Sequence, residues 1–96
     1  MAQQSHLYLA VYDITENRER DRVAGVLEGW GVRVQESVFE VRLTRATGAR
    51  LWAQLEALGV ETGYVFLYRV DGKAKRKELG RPPENPLAEE RHAFVL

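Results

Sequence analysis

Asp13 stands where a run of β-forming residues, His6 to Tyr12, gives way to Ile14-Thr15-Glu16-Asn17. A carboxylate at a strand exit can cap the helix that follows or hold a divalent cation, and the neighbouring residue types leave both roles open. Arginines come next: Arg18, Arg20 and Arg22 in a helical stretch, then Arg33. A second basic group, Lys73, Lys75, Arg76, Lys77 and Arg81, is opposed within its own stretch only by Asp71 and Glu78. Guanidinium groups match phosphate bidentately, so these residues fit sequence-independent contacts to a nucleic-acid backbone. Arg18 reads as a solvated surface charge.

Other chemistries find little equipment. The chain has no cysteine, which removes disulfides, thiolate metal sites and Cys/His nucleophile pairs. It has no Gly-rich phosphate loop and no His-x-His pattern. His6 opens the first strand and His92 lies near the C-terminus, so neither falls beside Asp13. One carboxylate per chain is thin support for hydrolysis, because a Mg²⁺ held by one or two carboxylates needs waters and phosphates as well. A catalytic site would require a second copy to bring a second Asp13. Tyr12 and Phe39 suit a core or an interface better than base stacking.

The formal charge is zero, with 14 basic against 14 acidic residues, so nothing draws the whole molecule to a polyanion. Local clustering must do that work. Ninety-six residues make one domain with a modest core, for which oligomerisation is a natural supplement. No apolar run approaches the roughly 20 residues that span a bilayer. The first residues, Met1 to His6, lack the pattern of a signal peptide, and the expectation is a cytoplasmic protein.

The elements that position these residues follow from periodicity. His6 to Tyr12 is almost wholly apolar and reads as a central strand. Val23, Val26, Leu27 and Trp30 fall on one stripe of an amphipathic helix, with Glu16 and Glu19 near its start and Gly29 and Gly31 at its exit. Val32 to Leu43 is extended, and the polar Gln35-Glu36-Ser37 marks a tight hairpin; the lack of the usual glycine leaves one bent strand as the alternative. Thr44 caps a second helix whose apolar face is Ala46, Leu51, Trp52, Leu55 and Leu58, ending at Gly59. Thr62 to Val70 is a fourth strand, with Tyr64, Phe66 and Tyr68 on one face.

The order β-α-β-β-α-β predicts an α+β, ferredoxin-like antiparallel sheet with both helices on one face. Residues 1–96 form one domain: a core over about 6–71, a basic loop over 72–86, and an added strand over about 91–96. The strands are apolar on both faces, counting Tyr8, Ala10, Tyr12, Tyr64, Phe66 and Tyr68. A solvated face should not be, so a second copy packed sheet on sheet is expected. Ala93, Phe94, Val95 and Leu96 are too apolar to hang in water and are assigned to an interface, together with Tyr12 and Phe39.

The string Leu9-Ala10-Val11-Tyr12-Asp13-Ile14-Thr15, then Arg20-Asp21-Arg22-Val23, then Arg33-Val34-Gln35-Glu36-Ser37-Val38-Phe39-Glu40, resembles a known family. It is that of the second of the two core CRISPR adaptation proteins, and the match runs from about Leu7 to Val70. The resemblance implies a ferredoxin-like homodimer whose C-terminal strand extends the partner's sheet. It implies a spacer-acquisition complex in which this dimer bridges two dimers of the CRISPR integrase and holds duplex DNA. It also implies a Mg²⁺-dependent endonuclease on RNA or DNA, with Asp13 as metal ligand and catalytic residue. Arg20, Arg22, Arg33 and Phe39 match positions tied to nucleic acid or activity. The match fades over Asp71 to Pro86.

The leading expectation is therefore a DNA-bridging adaptation subunit with a Mg²⁺ site at Asp13. Its nucleic-acid contacts are Arg20, Arg22, Arg33, Lys73, Lys75, Arg76, Lys77 and Arg81. The alternative is a stand-alone metal-dependent endoribonuclease of the related toxin type. A metabolite-sensing or RNA-recognition module is disfavoured, since no aromatic RNA-binding strand signature is present.

Overall fold

The computed structural model describes residues 4–70, 72–73 and 75–83. Six elements follow in order: β1 (His6–Ile14), α1 (Asn17–Glu28), β2 (Gly31–Gln35), β3 (Val38–Leu43), α2 (Arg45–Ala57) and β4 (Gly63–Arg69). The sheet order is β2-β3-β1-β4, and all three pairings are antiparallel. This is the expected α+β arrangement. The expected C-terminal strand at Ala93 to Leu96 lies outside the described residues.

Parity along the strands sorts the two faces. Ala10, Tyr12 and Ile14 of β1, with Phe39, Val41 and Leu43 of β3, point to the helices and are buried there. They meet Val23, Ala24 and Leu27 of α1 and Leu51 and Leu55 of α2. Full burial of such side chains is worth about 1.5–3 kcal/mol each, so this single layer carries most of the fold's hydrophobic drive.

Local sequence explains the element ends. α1 is capped by Glu16, whose carboxylate accepts from the N–H groups of Arg18 (2.8 Å) and Glu19 (3.1 Å). Thr44 caps α2 as expected, and Thr47 completes a reciprocal capping box. Gly59 ends α2 at φ +62°, a conformation that disfavours any side chain. The β2–β3 turn closes without glycine because no non-Gly residue here needs positive φ. A register shift between Arg33 and Gln35 supplies the extra twist, and Gln35 accepts from the Ser37 N–H at 3.1 Å.

Several expectations are corrected. β1 runs two residues beyond Tyr12, so Asp13 lies within the strand, opposite Tyr64, rather than in a turn or at a helix cap. Tyr12 (2 % exposed) and Phe39 (0 %) belong to the chain's own helix-side core, because their parity turns them away from the open face. They cannot line an interface between sheets. Ala46 and Trp52 are not buried, because α2 buries only the narrower stripe of Leu51 and Leu55.

The face away from the helices divides in two. Residues 75–83 lie along the β2-β3-β1 side, where Leu9, Val34, Val38 and Glu40 line a cleft of about 420 Å³ together with Pro82 and Pro83. There Arg76 Nη1 pairs with Glu40 Oε2 at 2.5 Å and Nη2 with Glu78 Oε1 at 3.0 Å. Glu40 is 5 % exposed, so a charge sits inside an otherwise apolar surface and needs this partner. On the β4 side Tyr64, Phe66 and Tyr68 stay 45–53 % exposed, with rings packed at 4.5 Å and 5.9 Å between centroids.

Candidate functional site

Asp13 opens onto a cleft of about 620 Å³ at one end of the sheet, with Arg20, Glu36, Ser37 and Tyr64 in its walls. β1 supplies the aspartate, β4 the tyrosine, the β2–β3 turn Glu36 and Ser37, and α1 the arginine. Asp13 is exposed and paired through its backbone with Tyr64 of β4. A carboxylate so placed keeps its oxygens available to a ligand.

The connection after Asp13 is held rigidly, and Thr62 is the residue that holds it. Its carbonyl accepts from Thr15 N–H at 3.2 Å, and its hydroxyl accepts from Glu16 N–H at 3.0 Å. Its own N–H and hydroxyl each donate to Glu19 Oε1 at 2.8 Å, and Glu61 N–H adds a third donor at 3.0 Å. The Thr62 N–H leads the donors that hold the Glu19 carboxyl below its ordinary value, with Arg22 adding a weaker attraction. Sequence marks Glu16 and Glu19 as helix-start acids. It carries no signal that residues some forty positions apart meet.

The sequence-predicted basic residues fare differently. Arg20 reaches the cleft, but its guanidinium donates to the Ile14 carbonyl at 3.0 Å and to Asn17 Oδ1, tying down the β1–α1 connection. Arg22 is exposed on α1. Arg33 sits on the helix side of edge strand β2, stacked on Phe39 at 5.1 Å and donating to the Tyr12 hydroxyl at 3.2 Å. That hydroxyl raises its affinity for the proton. Lys73, Lys75, Lys77 and Arg81 are exposed, whereas the Arg76 guanidinium is committed to Glu40 and Glu78. None of these lysines lines the Asp13 cleft.

Among the described residues no three His, Asp or Glu side chains cluster as a metal cage. Asp13, with an open cleft in front, fits a Mg²⁺ that keeps most of its waters, which is how that ion is usually held. It does not fit a closed site of protein ligands.

Comparison with known proteins gives the wider setting. The model for the family "CRISPR associated protein Cas2" matches residues 6–78. A Mycobacterium tuberculosis protein named CRISPR-associated endoribonuclease Cas2 is 38 % identical over 73 residues, 76 % of this chain and 65 % of its own length. The chain therefore spans just under two thirds of that relative. A Pyrobaculum aerophilum protein named CRISPR-associated endoribonuclease Cas2 1 is 39 % identical over 92 residues, 93 % of this chain and 96 % of its own. A Thermoproteus tenax protein named as a fusion of endonucleases Cas1 and Cas2 is 34 % identical over 84 residues, 84 % of this chain and 32 % of its own. Among solved structures, a hypothetical protein from Thermus thermophilus superposes with a TM-score of 0.75 at 30 % identity, covering 85 % of this chain and 99 % of that one.

Proposed function

The chain belongs to the CRISPR associated protein Cas2 family, and from that membership we propose that it serves in CRISPR adaptation as a small subunit that bridges integrase dimers and holds duplex DNA. The observation that carries this reading is the Thermoproteus tenax relative, in which a Cas1 and a Cas2 portion share one chain. Two activities joined covalently point to a working association where they are separate.

The working unit in this proposal is a homodimer. The bare stripe of Tyr64, Phe66 and Tyr68 supports it, since a contiguous aromatic surface is costly to leave in water. A twofold axis would double the exposed basic residues Lys73, Lys75, Lys77 and Arg81, giving backbone contacts that a neutral chain cannot assemble by overall charge.

Asp13 is the residue that would hold Mg²⁺, in company with the second copy's equivalent. When bound, that ion supplies Lewis-acid polarisation of a phosphoryl oxygen and a more acidic bound water. The chain's own contribution is placement: Thr62 and Arg20 fix the connection beside Asp13, and the β2–β3 turn walls the cleft. The endoribonuclease names of the Mycobacterium and Pyrobaculum relatives favour a second reading, in which the same cleft cleaves RNA without an integrase.

Co-expression with a Cas1 integrase tests the main reading. Co-purification of the two, with insertion of a short duplex into a repeat array only when both are present, is the expected result. RNA cleavage by this chain with no association and no insertion would favour the second.

A further inference from the structure

Tyr12 grips the β2–β3 turn at two points. Its N–H donates to the Ser37 carbonyl at 3.1 Å, and its hydroxyl donates to the Glu36 carbonyl at 3.2 Å. The direction of that second bond is set by Arg33. A guanidinium can only donate, so the hydroxyl must accept from Arg33 Nη2 (3.2 Å), leaving its one proton for Glu36. Arg33 is itself placed by the Phe39 ring beneath it, and by Glu28 at 3.8 Å. Phe39 in turn packs with Tyr12 at 6.4 Å between centroids.

This arrangement answers a local need. The turn has two residues, no glycine, and a register shift just before it, so its own dihedral preferences do not fix its height above the sheet. Glu36 and Ser37 line the cleft on the side facing Asp13. Tyr12 is the residue before Asp13 in β1, and its side chain is buried on the opposite face. One strand therefore presents the carboxylate to the cleft and, one residue earlier, clamps the cleft's opposite wall.

We propose that Tyr12 and Arg33 are positioning residues for the Asp13 cleft, and that Arg33 acts by fixing the Glu36–Ser37 turn rather than by holding a phosphate. The consequence for cleavage rests on the nuclease reading of Asp13; the consequence for the turn does not. Tyr12 is only 2 % exposed and its hydroxyl is already engaged by Glu36 and Arg33, so what its side chain contributes passes through the turn.

The test uses the intact chain with Tyr12→Phe, Arg33→Gln and Arg33→Lys, read three ways. Amide hydrogen exchange at Glu36 to Val38 should rise about tenfold in Tyr12→Phe and Arg33→Gln, the size expected for removing one buried hydrogen bond. Arg33→Lys, whose charged donor keeps the reach that the shorter Gln side chain lacks, should recover most of the protection. Duplex DNA affinity and its salt dependence should stay within about twofold of the parent in all three, because no phosphate neutralisation is removed. Where the parent cleaves RNA, kcat should fall with the turn's protection while KM stays near its parent value. The proposal is overturned if exchange at the turn is unchanged in Tyr12→Phe. It is equally overturned if Arg33→Gln lowers the salt slope by about 0.9, the signature of one phosphate no longer neutralised. A parent that does not cleave would remove the nuclease reading, and the exchange and salt measurements would still decide this one.

Discussion

Gly63 lies so close against Asp13 that a Cβ built on it would fall 1.8 Å from the Asp13 carbonyl oxygen. The first residue of β4 must therefore be glycine for β1 to keep its path where it presents the carboxylate. The same Cβ would crowd the Ile14 Cα at 2.8 Å, and both obstacles are backbone atoms that cannot swing aside.

Gly63→Ala should therefore destabilise the protein by about 1–3 kcal/mol, the range for steric overpacking. For a domain of this size that lowers Tm by roughly 4–8 °C per kcal/mol. A thermal melt unchanged from the parent would show that the end of β4 moves freely and that Asp13 is not held by it.

Glu19 gives an acid-side prediction. Its folded carboxyl lies below its ordinary value of 4.5, chiefly through the Thr62 N–H. A depressed folded value means that the stabilisation is complete above the unfolded carboxylate range and is lost as pH falls through the folded value. Urea midpoints measured from about pH 7 to about pH 3 should fall less steeply in Glu19→Gln than in the parent. Parallel curves would remove Glu19 from the acid response.

Arg76 should behave as a structural residue and its lysine neighbours as phosphate-binding groups. Arg76→Gln and Glu40→Gln should each cost about 1–3 kcal/mol, with the double variant less destabilised than the sum by about 1 kcal/mol or more. Additive effects would mean that the 2.5 Å pair is energetically idle. Lys75→Gln with Lys77→Gln should leave stability alone and reduce the salt slope of duplex binding by about 0.9 for each phosphate the lysines neutralise. An unchanged slope would leave the two lysines simply solvated.

Asp13→Asn separates bridge from nuclease. The substitution keeps shape and removes the charge that would hold Mg²⁺. Folding, dimerisation and duplex insertion with the integrase should survive, and any Mg²⁺-dependent cleavage should disappear. Failure of insertion by a well-folded Asp13→Asn dimer would overturn the bridging role, and cleavage that persists and responds to chelator would take the metal away from Asp13.

The order of elements is legible because each carries its period in the chain: the helical stripe of Val23 and Leu27, the alternation of Tyr64, Phe66 and Tyr68, the cap at Thr44. Asp13 is legible as a carboxylate near the end of the first strand, embedded in a family string, although the strand runs on past it. What escapes is which partner each polar group finds. Thr62 reads as an ordinary strand start, yet it binds three residues of the β1–α1 connection and α1. Arg33 and Arg76 read as phosphate ligands because a guanidinium's sequence neighbours do not reveal a tyrosine hydroxyl or a buried carboxylate across the sheet. Parity misleads once. Tyr8, Ala10 and Tyr12 look as apolar as Tyr64, Phe66 and Tyr68 and invite one shared exposed surface, but the antiparallel register places the two sets on opposite faces.

β4 occupies the end of the sheet order, and among the described residues its outer edge carries no partner strand. Five of its seven residues are Tyr, Val, Phe, Leu and Tyr, with no proline and a single charge, Arg69, at the far end. That is the composition that templates further strands and seeds aggregates when nothing caps it. A copy whose β4 edge stays open is thus a hazard to its neighbours. If the proposed second copy covers β4, its production in step with the first becomes a solubility requirement written into one edge strand.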